Sequence, residues 1–565
     1  MQAPEAAKPR LLPTLSEYGR RAVESTDRGI SVAVGRPLVS IGVLAVLQWV
    51  AILAYALTVR HNGWLFYQGG DQIWLLTTGW LLGDGELAPT YTGYGWPLAI
   101  APIMRFTGSS FVTAMPPIIL FNVLVLGPLA LWAIYGLGAQ VAGRAFGLLS
   151  AAVWVVLPFA VIPLWRDDYH ERYIEQFLPG ALGLTGLADY QSMLLLLVGA
   201  LLFMRALETR APLDGIAAGL VIGFAVGVKP SNGLFVAAPV VAALLARNLR
   251  PLLPFGLALL PALLTLAVWK ERGLGSLPAF ALEETRLAAG AMIAVSAPNV
   301  DRYVDFDWAN LHDNANHLRE YFWSARLLEW APIAGAVGVA RRSLPMAGLL
   351  GTWFGAFLIV KGTTPLSTVS SGSFFRFVMP GFPAYFLLGV SILLLVPTLG
   401  AYIARRWPEQ PARALDRRLV ITLAAVLALL PLVVVAVVRP MGLPPKAVVI
   451  DEILTPVDKE IDVDVRGDGE ARELTWTHPP AGSSDVFYRV YRTDLSDTDL
   501  ECADDSGAKE CSLEMVLLGT TRDPRWRDGS PPPGSRYRIA VAANSRNDPT
   551  AGDVATISEP VEGDA

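Results

Sequence analysis

The chain has 565 residues, of which 53% are hydrophobic and 17% charged, with a formal net charge of −5. A soluble globular chain carries about a quarter charged residues, so the composition excludes an ordinary soluble domain over most of the length. The acidic balance argues against nucleic acid as a partner.

Residues 1–37 read as a hydrophilic tail, with Lys8, Arg10, Arg20, Arg21, Arg28 and Arg36. The apolar run that starts near Pro37 is too long for a cleaved signal core and reads as a signal-anchor that stays in the protein. Between 38 and 440, apolar runs alternate with short charged clusters. About 20 apolar residues at 1.5 Å each cross about 30 Å of hydrocarbon. On that measure about eleven spans are expected, near 38–60, 115–140, 145–165, 190–204, 213–228, 233–246, 251–269, 327–340, 345–361, 377–399 and 419–438. Arg144, Arg205, Arg210, Arg247, Arg250, Arg341, Arg342 and the arginines from 405 to 418 fall in alternate loops on the side of the tail. Positive charge marks the cytoplasmic side, so the N-terminus is expected inside, and an odd number of spans puts the C-terminal domain outside.

Within 213–246, Lys229-Pro230-Ser231-Asn232 interrupts the run. Proline lacks the N–H that a helix interior needs, so two short helices with Lys229 at the outer turn are expected. Three outer segments, about 61–114, 166–189 and 270–326, are too long for turns. In the first, the apolar residues after Asp71 recur at helical spacing, which suits a helix lying in the interface rather than crossing it. The second holds Asp167, Asp168, His170 and Glu171.

From 441 to 565 the pattern changes to short alternating strands, such as Leu474–Thr477, Phe487–Tyr491 and Tyr537–Val541, with Pro and Gly turns between them. This reads as an extracytoplasmic all-β sandwich. Its strand Trp476, the Tyr-Arg-Val-Tyr strand 488–491 and the late Tyr537 resemble a fibronectin type III domain, which implies binding or spacing and no catalysis. Both cysteines, Cys502 and Cys511, lie here. Paired, they would close a short loop in an oxidising compartment; the alternative is two free thiols.

The span interiors are nearly free of ionisable groups, whereas an ion-coupled transporter would keep acidic groups near the midplane. The charges collect at the outer rim: Asp71, Asp84, Glu86, Asp167, Asp168, Glu171, Asp189, Lys229, Lys270, Lys361 and Arg376. Carboxylates there could take a proton from an attacking hydroxyl, and cations could hold a phosphate. Together they suit sugar transfer from a lipid phosphate through an oxocarbenium-like transition state.

Several segments together resemble the GT-C superfamily of polyprenyl-phosphate-sugar glycosyltransferases, among which protein O-mannosyltransferases and the lipid A aminoarabinose transferase are similar. The carriers are Gly69-Gly70-Asp71-Gln72-Ile73-Trp74, Gly83-Asp84-Gly85, Gly93-Tyr94-Gly95-Trp96-Pro97, Leu187-Ala188-Asp189-Tyr190, Val228-Lys229-Pro230 and Phe375-Arg376-Phe377-Val378-Met379-Pro380-Gly381-Phe382-Pro383. The resemblance covers roughly 38–400. It implies that Asp71, just after the first span, is the base. Gln72 stands where that family often has a second acid. It also implies that Arg376 lies at the donor phosphate.

The expected fold is thus an α-helical polytopic, GT-C-like membrane protein with a β-sandwich at its C-terminus. The expected function is an inverting membrane glycosyltransferase in a bacterial plasma membrane. It would move a sugar from a polyprenyl-phosphate donor to an extracytoplasmic hydroxyl of a glycan, lipid or protein. Asp71 would be the base, and Arg376 with Lys229 or Lys361 would bind the phosphate. Asp168, Glu171, Asp189, Tyr94 and Trp96 are candidates for contacting acceptor or substrate. Blander readings stand beside these: Asp71 and Asp189 as helix N-caps, Arg376 as a snorkelling side chain, the aromatics as interface anchors. His312, Asp313 and His317 do not have the spacing of a known metal motif, and no metal ligand is assigned. A flippase or exporter of a lipid-linked glycan would share the groove without needing a base. A membrane-anchored adhesion protein would need far fewer spans.

Overall fold

The computed structural model describes residues 27–59, 70–88, 92–109, 111–274, 277, 286–289, 293–296, 306–365, 367–440, 447–450, 453–467, 471–477, 486–493, 500–503, 510–513, 515–543 and 554–562. Most of the tail 1–37, parts of the outer segments 61–114 and 270–326, and the Cys502 and Cys511 side chains lie outside them.

The membrane part is helical. Among the described residues seven helices are long and apolar enough to cross a bilayer: Pro37–Thr58, Thr113–Ala142, Asp189–Thr209, Leu252–Gly273, Leu344–Gly362, Ser373–Leu395 and Arg417–Val437. These fit a multi-pass membrane protein. The other expected spans are helical but shorter. Arg144–Ala160 and Pro212–Val228 have 17 residues and Arg326–Ala340 has 15. At 1.5 Å per residue those reach about 23–26 Å, short of about 30 Å of hydrocarbon. The outward faces are apolar: along Pro37–Thr58, Leu38, Val43, Leu47, Val50, Leu53 and Leu57 are all exposed. A stripe of that kind is costly in water and suits lipid.

Small residues let the inner helices approach closely. Gly215, Gly219 and Gly223 recur every four residues on Pro212–Val228, and that stripe faces Leu252–Leu274. A Cβ at Gly219 would overlap the Phe255 carbonyl. Membrane helices pack in this way because lipid offers no hydrophobic drive between them. The stretch 213–246 breaks as expected: Pro212–Val228 ends at Lys229, whose backbone is extended, and a tight turn from Pro230 leads into Ala237–Leu245.

The helix after Asp71, Gly70–Gly83, is too short to cross, as expected. It does not lie on an open interface, however. Residues 72–82 are all buried, under Gly95–Thr107 on one side and the strand Ile453–Pro456 on another. A helix that is apolar all round ends up covered by protein.

The C-terminal region is β-rich. Arg525–Asp528, Arg472–Thr477 and Asp462–Gly467 form one three-stranded sheet, in that order. Val516–Thr521, Val486–Thr493, Arg536–Ala543 and Val554–Ile557 follow one another in a second, with Val561–Glu562 also on Arg536–Ala543. Alternate residues point inward: Val463, Val465, Leu474 and Trp476 of one sheet join Val490, Tyr537, Ile539 and Val541 of the other in one buried cluster. Strands Leu500–Ala503 and Glu510–Leu513 pair antiparallel with Cys502 opposite Cys511. The hairpin of Ala447–Ile450 and Ile453–Pro456 joins this region to the Gly70–Gly83 helix. Arg439–Pro440 pairs in parallel with Glu86–Leu87 just beyond that helix.

Candidate functional site

Four ionisable groups from four separate segments meet at one end of the bundle. Asp71 lies in the first turn of Gly70–Gly83 and Asp189 opens Asp189–Thr209. Lys229 caps the end of Pro212–Val228, and Arg376 lies in the first turn of Ser373–Leu395. Arg376 Nη2 donates to Asp71 Oδ2, and Lys229 Nζ donates to Asp189 Oδ1. Arg376 Nε lies 3.5 Å from Asp189 Oδ2.

The two carboxylates differ in access. The Asp189 side chain is only 4% exposed, whereas that of Asp71 is 50% exposed. A buried carboxylate must be paired, and Asp189 has a cation on each oxygen. Lys229 Nζ lies 5.2 Å from the centre of the Phe377 ring, and Lys361 Nζ, from the end of Leu344–Gly362, lies 5.8 Å from the same ring. The negative face of an aromatic ring suits such placements. Lys229 and Lys361 therefore share the Phe377 ring, Lys229 and Arg376 share Asp189, and Arg376 reaches Asp71.

Each member is held by its own local device. The turn before Asp189 is pinned by Trp96, whose Nε1 donates to the Gly186 carbonyl at 2.8 Å. Asn122 donates to the Gly183 and Thr185 carbonyls at 3.0 and 3.2 Å, and Gln191 donates to Asn122 Oδ1 at 2.8 Å. Asn122 begins a π-helical turn inside the Thr113–Ala142 helix. Such a bulge redirects a side chain that an α-helix would aim elsewhere.

Lys229 is set by the segment Gly93-Tyr94-Gly95, which presses on Val228 so closely that a Cβ at either glycine would overlap that residue's backbone. Tyr94 fits over Gly227, where a Cβ would strike its ring, and meets Phe224 edge-on at 6.2 Å. The loop before Arg376 is clamped by Asn310 and Asn314 of the helix Trp308–Glu320. Asn314 donates to the Ser367 carbonyl at 2.6 Å and accepts from the Val369 N–H at 2.9 Å. Asn310 donates to the Thr364 carbonyl at 2.8 Å.

The structure brings together Asp71, Asp189, Lys229, Lys361 and Arg376 out of the sequence candidates. Asp189 emerges as the buried hub of the cations, not as an exposed acceptor contact. Tyr94 and Trp96 are 0% and 1% exposed; both are positioning residues of the core, with no ring face open to a sugar. Asp168 and Glu171 sit on the exposed helix Asp167–Arg172, where Asp168 pairs with Arg166 at 3.3 Å. Gln72 is fully buried and donates to Met115 Sδ at 3.4 Å. An acid at that position would face the core rather than the site. His317 pairs with Glu320 at 3.7 Å. Among the described residues no group of three or more His, Cys, Asp or Glu comes together to hold a metal ion.

Sequence reasoning missed Phe377, Asn122, Asn310 and Asn314. A polar residue inside an apolar run signals Asn122 in the sequence, and the Arg376-Phe377 step signals the ring. The two other asparagines carry no such mark. Comparison with known proteins adds no relative: no family model, no curated protein and no solved structure matches the chain.

Proposed function

We propose that the chain is an inverting membrane glycosyltransferase of the GT-C type, using a polyprenyl-phosphate sugar. One observation carries the reading: a half-exposed carboxylate, Asp71, touches Arg376, which shares the buried Asp189 with Lys229, and Lys361 shares the Phe377 ring with Lys229. The donor phosphate would take the guanidinium fork of Arg376 and the ammoniums of Lys229 and Lys361. In the structure Arg376 occupies one oxygen of Asp71. Phosphate binding draws that fork away and frees the oxygen for an acceptor hydroxyl. Asp71 then takes the hydroxyl proton as its oxygen attacks the anomeric carbon. The bond from that carbon to the phosphate oxygen breaks, and the charge left on the lipid phosphate rests on the three cations. Asp189 touches neither reactant and positions two of the cations.

The finer reading has eleven crossings, a cytoplasmic N-terminus and an outer C-terminal domain in a bacterial plasma membrane. It rests on the loop arginines and on the helices found at all eleven apolar runs. The strand order of the two C-terminal sheets supports a fibronectin type III-like sandwich that presents the acceptor. Its first hairpin lies on the Asp71 helix.

The test is incubation of the purified protein with a panel of polyprenyl-phosphate sugars and an assay for released lipid phosphate. Asp71→Asn is expected to abolish release and to keep donor binding. Unchanged release in that variant removes Asp71 as base. Donor binding without release by the parent protein favours a lipid-glycan flippase.

A further inference from the structure

A second feature lies at the opposite end of the bundle from Asp189, beyond the 21-residue Asp189–Thr209 helix, which is about 30 Å long at 1.5 Å per residue. There a groove of about 730 Å³ runs between residues 27–35, the Arg144–Ala160 helix and the Pro397–Arg406 helix. Its walls include Ile30, Val34, Leu149, Ala152, Leu399 and Ile403. Ile30, Leu149 and Leu399 are exposed large apolar side chains, so the groove opens outward.

Its mouth is polar, aromatic and basic. Arg406 donates to Asp27 and to the Tyr402 hydroxyl, and its guanidinium lies 4.8 Å from the centre of the Trp407 ring. Arg144 Nε donates to the Pro408 carbonyl at 3.2 Å. Arg28 follows Asp27 and Arg405 precedes Arg406, both exposed. Among the described residues Arg28, Arg144, Arg405 and Arg406 thus lie on the segments at this end of the groove, with Asp27 paired to Arg406. Tyr and Trp beside arginine at the end of an apolar groove mark headgroup depth, and basic pockets between membrane helices take anionic headgroups.

We propose that this groove binds one anionic phospholipid, its acyl chain along Leu149 and Ala152 and its phosphate on Arg406. Arginine suits a phosphate because its fork donates two parallel hydrogen bonds. The aromatic platform holds the fork in place while the phosphate displaces or bridges Asp27. The site is separate from the sugar-transfer reading and stands or falls without it.

The full chain, stripped of lipid in detergent, is titrated with phosphatidylglycerol or phosphatidylcholine. Retained lipid is counted by native mass spectrometry, and the thermal unfolding midpoint is followed. One phosphatidylglycerol is expected to be retained and to raise the midpoint, with phosphatidylcholine retained at least tenfold less. Ala152→Trp fills the groove and is expected to abolish retention; Leu149→Trp serves if that variant does not fold. Arg406→Gln is expected to lower retention about tenfold. Equal retention of both lipids, unchanged retention in the filled groove, or an equal shift from inorganic phosphate alone overturns the proposal. So does retention that appears only once residues 1–26 are deleted, which makes that segment the occupant.

Discussion

Among the buried carboxylates of this protein, Asp189 and Asp528 solve the same problem differently. Asp528, in the β-rich region, accepts from Arg492 Nη1 at 3.0 Å and from the Tyr537 hydroxyl at 2.9 Å. One cation and one hydroxyl close on it inside the sheets, and the Arg472 guanidinium lies 6.0 Å from the centre of the Tyr537 ring. Asp189 accepts from Lys229 and faces Arg376, and Arg376 goes on to the half-exposed Asp71. Burial alone therefore does not mark a site. What separates the two clusters is an opening to the outside: the Asp71 side chain is 50% exposed, whereas that of Asp528 is 10% exposed. In the proposed reading the Asp528 cluster holds a fold together, and the Asp189 cluster exchanges a partner for a ligand.

Removing the hub breaks this comparison most directly. Asp189→Ala leaves Lys229 and Arg376 without their buried counter-charge, a change that costs about 3–5 kcal/mol in buried pairs. A sharp fall in folded yield and in the unfolding midpoint is expected. An unchanged midpoint means that Asp189 does not organise the cluster.

Asp71→Asn is expected to do the reverse, since its carboxylate is half exposed. General-base removal lowers the rate about 10²–10⁴-fold, while the midpoint stays with that of the parent. Measuring both quantities in both variants separates a chemical role from a positioning one. In the closed cluster, Tyr537→Phe removes one hydrogen bond to Asp528 and is expected to cost about 1 kcal/mol, read by denaturant unfolding. Sugar transfer should be unaffected; a loss of transfer ties the β-rich region to the chemistry.

A further carboxyl is tested by pH. Glu409 follows the Pro397–Arg406 helix, and burial, with the charge of Glu208 beside it, pushes its pKa up to about 7 against the pull of Arg205. Its folded pKa lies above the ordinary value of 4.5. Its contribution to stability is therefore full below about pH 4.5 and is lost as pH rises through about 7. The parent protein should lose midpoint relative to Glu409→Gln between pH 5 and 8. Parallel curves over that range mean that Glu409 stays charged throughout.

Much of the site was legible in the sequence. Asp71, Lys229, Lys361 and Arg376 interrupt apolar runs, and a charge beside an apolar span has few places to go except its end. The break at Lys229-Pro230 was legible because proline cannot continue a helix. The role of Tyr94 and Trp96 was not. An aromatic residue near a span end reads equally as an interface anchor, a sugar platform or core, and only the glycines opposite it decide which.

The sequence by itself determined the apolar helices, the β-rich C-terminal region and the placing of most charges at the ends of the apolar runs. These follow from local composition and from periods of 3.6 and 2, which every window of the chain carries. Only the tertiary structure decided that Asp189 is the hub, that Trp96 and Asn122 hold its turn, and that the Asp71 helix is covered on its flanks. Those facts depend on residues dozens to hundreds of positions apart meeting in space. Pairing across such distances is set by packing, which no single segment contains.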